Sequence, residues 1–127
     1  MPDSFTLPID EPQPSQLYLS QAKLDGVLSW CDPDDPQYDP LPVIELDGEW
    51  TLIDGHTRAF VASLAGHPEL RVVHDRDDHP RDLYRRCVDW CREAGITRID
   101  DLHGQLVSAE TYQTEWIDRC QAAAKAD

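Results

Sequence analysis

The pair Asp47-Gly48 constrains the fold of this chain more than any other feature of its sequence. It separates two β-prone runs, residues 42–46 and 49–53. An Asp-Gly pair between two such runs is the strongest short-range signal for a two-residue β-hairpin. The two runs are therefore predicted to be antiparallel neighbours in a sheet.

The second run of the hairpin leads directly into a turn and a helix. The turn reads Asp54-Gly55-His56-Thr57-Arg58, and apolar residues then cover most of a helix that ends at Gly66. A helix that is apolar on most of its surface must be largely buried. The sequence thus predicts a strand, a tight turn and a buried helix at the centre of the fold.

The flanking segments supply the other elements. Periodicity and capping residues predict strands at 16–20 and 70–74, helices at 21–31 and 81–94, a short turn or helix at 99–103, and a last helix capped by Ser108. Residues 32–40 are predicted to form a proline-stiffened acidic loop.

These elements together predict an α/β (α+β) fold, a small mixed sheet with packed helices and a C-terminal helical extension. Residues 1–14, with several prolines and no apolar run, are expected to be a flexible segment. Residues 15–76 are expected to form the core, and residues 77–127 a helical extension packed on the same domain.

Charge restricts the classes of partner. The formal net charge is −14, with 25 acidic and 11 basic residues, and such a field repels nucleic-acid phosphates and anionic lipid surfaces. Acidity with almost no lysine is also typical of adaptation to a salty, halophilic cytoplasm. The sequence has no signal peptide and no bilayer-spanning apolar stretch, so we expect a cytoplasmic protein with no membrane partner.

Four cysteines are present, and their spacing does not indicate a metal knuckle. Cys87 and Cys91 lie four residues apart, on one face of a predicted helix, whereas zinc sites favour tighter Cys-x-x-Cys pairs. Without a secretory signal, the cysteines are expected to be reduced and mostly structural.

The turn after the hairpin carries the residues best suited to bind an anion. Gly55 can adopt a left-handed backbone conformation and lets a ligand approach the main chain. The helix that follows directs its first N–H groups at the same place. Thr57 adds a hydroxyl donor, and Arg58 adds a fork of N–H donors that matches phosphate oxygens. The sequence therefore predicts a phosphate site at Gly55, His56, Thr57 and Arg58.

Asp54 complicates this prediction because its charge repels phosphate. A bridging magnesium ion held by Asp54 would resolve the conflict. Alternatively, Asp54 orients His56 so that the imidazole acts as an acid or base beside the phosphate, which makes both residues catalytic candidates. A third interpretation is purely structural: Asp54 caps the helix, His56 is exposed, and Arg58 pairs with a neighbouring carboxylate.

The order of elements, and the run P-V-I-E-L-D-G-E-W-T-L-I-D-G-H-T-R-A-F-V-A, resemble the ParB/sulfiredoxin superfamily over residues 12–75. The Gly-x-x-Arg turn of that superfamily binds nucleotide phosphates. The resemblance implies that residues 55–58 hold a nucleotide such as ATP, ADP or CTP.

Differences within the turn separate the branches of the superfamily. Sulfiredoxins place a reactive thiol where this chain has His56, and partition proteins have long DNA-binding regions that this chain lacks. The turn is most similar to the Asp-Gly-His-x-Arg of free serine kinases, matched by Asp54, Gly55, His56 and Arg58. Those kinases carry a glutamate early in the first helix, where this sequence offers only Asp25.

Three functions follow as hypotheses. The first is a nucleotide-dependent kinase or phosphotransferase that uses magnesium and a small-molecule substrate, with Arg58 on phosphate, Asp54 on the metal and His56 moving a proton. The second is a nucleotide-sensing module without turnover, whose C-terminal helices dock a protein partner. The third is a DNA-binding adaptor, which the acidic residues of the last helix disfavour.

Overall fold

The computed structural model describes residues 4–30 and 40–125. The strands, in chain order, are β1 (Ser4–Pro8), β2 (Gln13–Pro14), β3 (Leu19–Ser20), β4 (Leu41–Leu46), β5 (Glu49–Leu52), β6 (Glu69–His74) and β7 (Leu106–Val107). The helices are α1 (Gln21–Leu28), α2 (His56–Leu64), α3 (Arg81–Glu93), α4 (Ala109–Tyr112) and α5 (Asp118–Lys125), with a 3-10 helix at Ile99–Gly104 and a π-helical turn at Gln113–Ile117. The predicted α+β class is confirmed.

The main sheet has five strands in the order β1-β6-β4-β5-β2. β4 and β5 are antiparallel, and Leu46 lies opposite Glu49 across the turn. Asp47 and Gly48 both have positive φ, 53° and 85°, as a two-residue hairpin requires for its backbone twist to match that of the strands. The predicted hairpin is confirmed.

Helices cover both faces of this sheet. Leu41, Val43 and Leu52 pack in the same cluster as Phe60 of α2. Successive strand residues point to opposite faces, and Ile44 and Leu46 accordingly pack against Val88 of α3. The sheet therefore fixes α2 on one side and α3 on the other.

The N-terminal segment differs from the expectation of a flexible stretch. Residues 4–8 form β1, which pairs antiparallel with β6, and β2 adds parallel to β5. Leu7 of β1 is buried in the core. Prolines are tolerated in these strands because both lie at sheet edges, where one ladder of hydrogen bonds is not required.

α1 is shorter and less buried than predicted. It ends at Leu28, not at residue 31, and Leu24 is its buried residue, whereas Leu28 is 41% exposed. Gly26 within the helix lowers its intrinsic stability. Cys31 and nearly all of the predicted acidic loop lie outside the described residues.

The C-terminal half packs on the same core. β7, which the sequence did not predict, pairs parallel with β3, the short remainder of the strand expected at residues 16–20. Cys87, Ile99 and Trp116 belong to the main core cluster. Among residues 4–30 and 40–125, no helix is long and apolar enough to cross a bilayer.

Candidate functional site

The junction between β5 and α2 adopts the conformation that Gly55 makes accessible. Gly55 is the N-cap of α2 and has φ 76° and ψ 22°, in the left-handed region. A Cβ added there would lie 2.6 Å from Leu41 Cδ2 and 2.9 Å from Arg58 Nη2. Both the backbone angle and the close neighbours therefore require glycine.

Arg58 folds back over this glycine. Its Nη2 and Cζ atoms lie 2.9 Å and 3.4 Å from the position of a Cβ on Gly55, and the side chain is half-buried. Within the described part of the chain, the guanidinium has no hydrogen bond and no ion pair. The carboxylate partner of the structural interpretation is thus not found there.

Asp54 is exposed and does not cap the helix. Its Oδ1 accepts a hydrogen bond from the N–H of Gly55 at 2.8 Å. The N-cap position belongs to Gly55, which has no side chain to accept from the next amides. The first N–H groups of α2 therefore face the approach over Gly55 without a side-chain cap from that residue.

His56 is buried and neutral. It is 2% exposed, and its Nε2 accepts a hydrogen bond from the N–H of Ser15 at 3.0 Å. The ring proton then resides on Nδ1, a buried atom without a partner among the described residues. Burial lowers the pKa of His56 to about 4, although the charge of Asp54 opposes the shift. The interpretation of an exposed His56 is wrong.

Ser15 is a residue of the site that the sequence did not reveal. Its hydroxyl donates to the carbonyl oxygen of Leu52 at 2.6 Å, while its N–H bonds to His56. These two bonds hold the chain after β2 against the end of β5 and the start of α2. No sequence motif predicts this contact between Ser15 and His56, because it joins segments about forty residues apart.

The predicted site residues come together as one group. Asp54, Gly55, His56, Thr57 and Arg58 form a continuous turn, with Thr57 half-buried beside Arg58. The region described contains no cluster of three or more His, Cys, Asp or Glu side chains suited to a metal ion. Asp54 is one carboxylate, and Mg²⁺ often takes one or two carboxylates and completes its shell with water and substrate phosphates.

A separate cavity lies at the other end of β5. Its volume is about 460 Å³, and it is lined by Glu11, Gln13, Gly48, Glu49, Trp50, Arg92 and Thr97. Arg92 bonds to Glu49 and to Gln13 there. Arg92 and Glu49 of this cavity form an ion pair with each other, whereas Arg58 has no ion pair among the described residues.

Comparison with known proteins shows similarity at the level of the fold. No protein-family model and no curated protein matches the chain. A solved structure, the crystal structure of protein Atu1540 from Agrobacterium tumefaciens, is similar with a TM-score of 0.54 and 17% sequence identity. The match covers 80% of this chain and 61% of that one, so this chain spans less than two thirds of that structure.

Proposed function

We propose that residues 55–58 bind the phosphate of a nucleotide, and that the chain is a nucleotide-binding protein of the ParB/sulfiredoxin type. One observation carries the proposal: a half-buried guanidinium, with no acceptor among residues 4–30 and 40–125, lies over a left-handed glycine at a helix start. The three features share one small volume, and each favours an anion.

The lack of a partner for Arg58 in the described part of the chain is informative because acidic side chains are abundant in this protein. Elsewhere Arg85 pairs with Asp47 and Asp82, and Arg92 pairs with Glu49. A partly desolvated cation without an acceptor costs free energy. An external phosphate would supply two oxygens in the geometry that guanidinium groups favour.

The position of Asp54 supports a magnesium-bound polyphosphate over a simple phosphate ion. The exposed carboxylate is at hydrogen-bond distance from the amide of Gly55, so a phosphate on the turn would meet a like charge nearby. A magnesium ion between Asp54 and the phosphate oxygens would remove that repulsion. ATP, ADP and CTP with magnesium are the ligands that fit this scheme.

For His56 we propose a positioning role. Its ring is buried, neutral at physiological pH and engaged by Ser15, which leaves little capacity to exchange protons with a substrate. Proton transfer by His56 and phosphotransfer to a small metabolite remain predictions. The second candidate, a magnesium-dependent phosphotransferase, is favoured by the exposed carboxylate of Asp54 beside the turn.

Calorimetric titration of the chain with ATP, ADP and CTP, each with and without magnesium, tests the proposal. We expect binding to weaken by about 10- to 100-fold in Arg58→Ala, because charge-assisted hydrogen bonds contribute roughly 1.5–3 kcal/mol. Arg76→Ala is the matched control: it removes an equal charge from an exposed position, and its affinity should equal that of the wild type. Equal affinity in Arg58→Ala, or no binding by the wild type, would refute nucleotide binding at this turn.

Asp54→Asn separates the magnesium scheme from simple phosphate binding. If magnesium bridges, the variant should bind nucleotide equally well with and without magnesium, while the wild type needs the ion. An unchanged magnesium dependence would exclude Asp54 as the ligand. Phosphate release or transfer, followed with a panel of small hydroxyl-bearing metabolites, then decides between the enzyme and the non-catalytic sensor.

A further inference from the structure

The cavity at the start of β5 lies where the edge of the main sheet is incompletely covered. β2 pairs with β5 only from Gln13, which lies opposite Thr51. Glu49 and Trp50, the first residues of β5, therefore extend beyond β2 and line the cavity. Its volume is about 460 Å³, and small-molecule sites usually have volumes of roughly 300–1,000 Å³. The cavity thus has room for a small ligand.

A buried glutamine fixes one wall of this cavity. Gln13 is 5% exposed, and its Nε2 donates to the carbonyl oxygens of Pro14 and Ile96, each at 2.9 Å. Its Oε1 accepts from Nε of Arg92 at 3.3 Å. Arg92 in turn forms an ion pair with the carboxylate of Glu49. These contacts hold the guanidinium and the carboxylate in place before any ligand arrives, which is the preorganisation that a binding site needs.

The charges of the lining favour a cation. Arg92 is the basic residue that lines the cavity in the described part of the chain, and it is already paired with Glu49. Glu11 also lines the cavity, and its carboxylate has no hydrogen bond and no ion pair among residues 4–30 and 40–125. Two carboxylates against one guanidinium leave an excess of one negative charge, in a chain whose formal net charge is −14. Such a field attracts cations and repels anions.

Trp50 adds an aromatic surface to the lining. Its ring packs against the rings of Phe5 and His74, with centroid distances of 5.3 Å and 5.1 Å, so its orientation is fixed by neighbouring strands. The side chain is half-buried. Of the aromatic side chains, tryptophan attracts ammonium and guanidinium groups most strongly. A cation in this cavity could therefore contact an aromatic ring as well as carboxylates.

We propose that this cavity binds a small organic cation that carries a guanidinium or ammonium group, held by the carboxylates of Glu11 and Glu49 and by Trp50. The proposal goes beyond nucleotide binding and does not depend on it, because the turn at residues 55–58 follows the opposite end of β5. An anion would meet both carboxylates and would have to displace Glu49 from Arg92.

NMR titration of the ¹⁵N-labelled chain with matched small molecules tests the proposal. Butylguanidine and butylurea have nearly the same shape, but only butylguanidine is charged at pH 7. We expect butylguanidine and butylamine to shift the amide signals of Trp50 and Thr97, which line the cavity. Butylurea should bind at least about 10-fold more weakly, and pentanoate should not bind. Equal affinity for butylguanidine and butylurea, tighter binding of pentanoate, or unshifted signals at both residues would overturn the proposal.

Charge-removing variants separate the cavity from the general negative field of the chain. Glu11→Gln keeps the size of the side chain and should weaken butylguanidine binding by about 5-fold. Asp10→Asn is the matched control: it removes the same charge from the neighbouring residue, which is exposed and does not line the cavity, and its affinity should equal that of the wild type. Equal losses in the two variants would show that the cation is attracted by the overall charge and has no site here.

Glu49→Gln gives a second, independent check. Because Arg92 holds the carboxylate of Glu49 in position, we expect a loss of affinity at least as large as that of Glu11→Gln. Unchanged affinity in both Glu11→Gln and Glu49→Gln would refute the assignment of the ligand charge. A wild type that binds butylguanidine but no nucleotide would support this site and remove only the proposal for the turn.

Discussion

The helix starts of this protein are of two kinds. At α1 and α4, a serine one position before the helix accepts from a backbone amide: Ser20 Oγ from Lys23 at 3.3 Å, and Ser108 Oγ from Thr111 at 3.1 Å. At α2 the same position holds Gly55, which offers no acceptor. Serine side chains therefore cap α1 and α4, whereas the first N–H groups of α2 have no side-chain cap.

The absence of a side-chain cap at a helix start indicates where an anionic ligand could bind. A serine, threonine or aspartate cap stabilises a helix start by roughly 0.5–2 kcal/mol. α2 and α3 both lack that gain, but at α2 an arginine without a partner among the described residues also lies over the N-cap glycine. An anion from solution would accept hydrogen bonds from the first N–H groups of α2, as the serine caps do at α1 and α4.

Replacing Gly55 by alanine should have the largest effect. The left-handed backbone and the contact with Leu41 Cδ2 should together lower the free energy of unfolding by about 2–5 kcal/mol. Gly48→Ala is the control, since Gly48 has a similar φ of 85° but no atom within 4 Å of an added Cβ. Urea titration should show a clearly smaller loss of unfolding free energy for Gly48→Ala than for Gly55→Ala. Equal losses would mean that the surroundings of Gly55 are not crowded.

His56 should make stability depend on pH. Burial in the folded protein holds the pKa of His56 at about 4, below its ordinary value of 6.5, so only the unfolded chain binds a proton between these values. The contribution is complete above pH 6.5 and decreases as pH falls towards 4, by about 3 kcal/mol in all.

Urea titrations from pH 7 to pH 4 measure this dependence. His56→Gln, which keeps an acceptor for the N–H of Ser15, should flatten the pH profile in that window. His103→Gln changes an exposed histidine and should leave the slope as in the wild type. A steep profile retained in His56→Gln would mean that other groups cause it.

Ser108→Ala should have the smallest effect, a loss of about 1 kcal/mol of stability from the missing cap. Nucleotide affinity should not change, because Ser108 hydrogen-bonds to Thr111 of its own helix start. Chemical denaturation and calorimetry on the same preparation check both statements. Weaker nucleotide binding in this variant would contradict the distinction between the two kinds of helix start.

Local signals were sufficient to predict the parts of the fold that depend on neighbouring residues. Asp47-Gly48 specified the hairpin, and the amphipathic pattern of residues 81–94 located α3 nearly to the residue. β1 and β7 were missed because each is stabilised by a strand distant in sequence, β6 and β3 respectively. Such pairings have no period or turn residue that a local pattern could show.

For the candidate site, the sequence indicated the local backbone but not the surroundings of the side chains. The turn residues were selected from glycine, arginine and the strand that precedes them. Gly55 has the left-handed backbone and Arg58 lies over it, while phosphate binding at this turn stays a prediction. The environment of His56 was not predictable, because its hydrogen-bond partner Ser15 follows β2, about forty residues earlier in the chain. The ligand, the role of magnesium and any turnover remain predictions.

The pairing of β3 with β7 also affects folding of the chain during its synthesis. Leu19 lies beside Leu106 in the second sheet, and the side chain of Gln105 donates to the carbonyl of Leu17. During synthesis, residues 17–20 must therefore wait for most of the chain to leave the ribosome before their partners exist. Truncated chains that end before β7 should leave residues 17–20 of the core exposed, where a chaperone could bind.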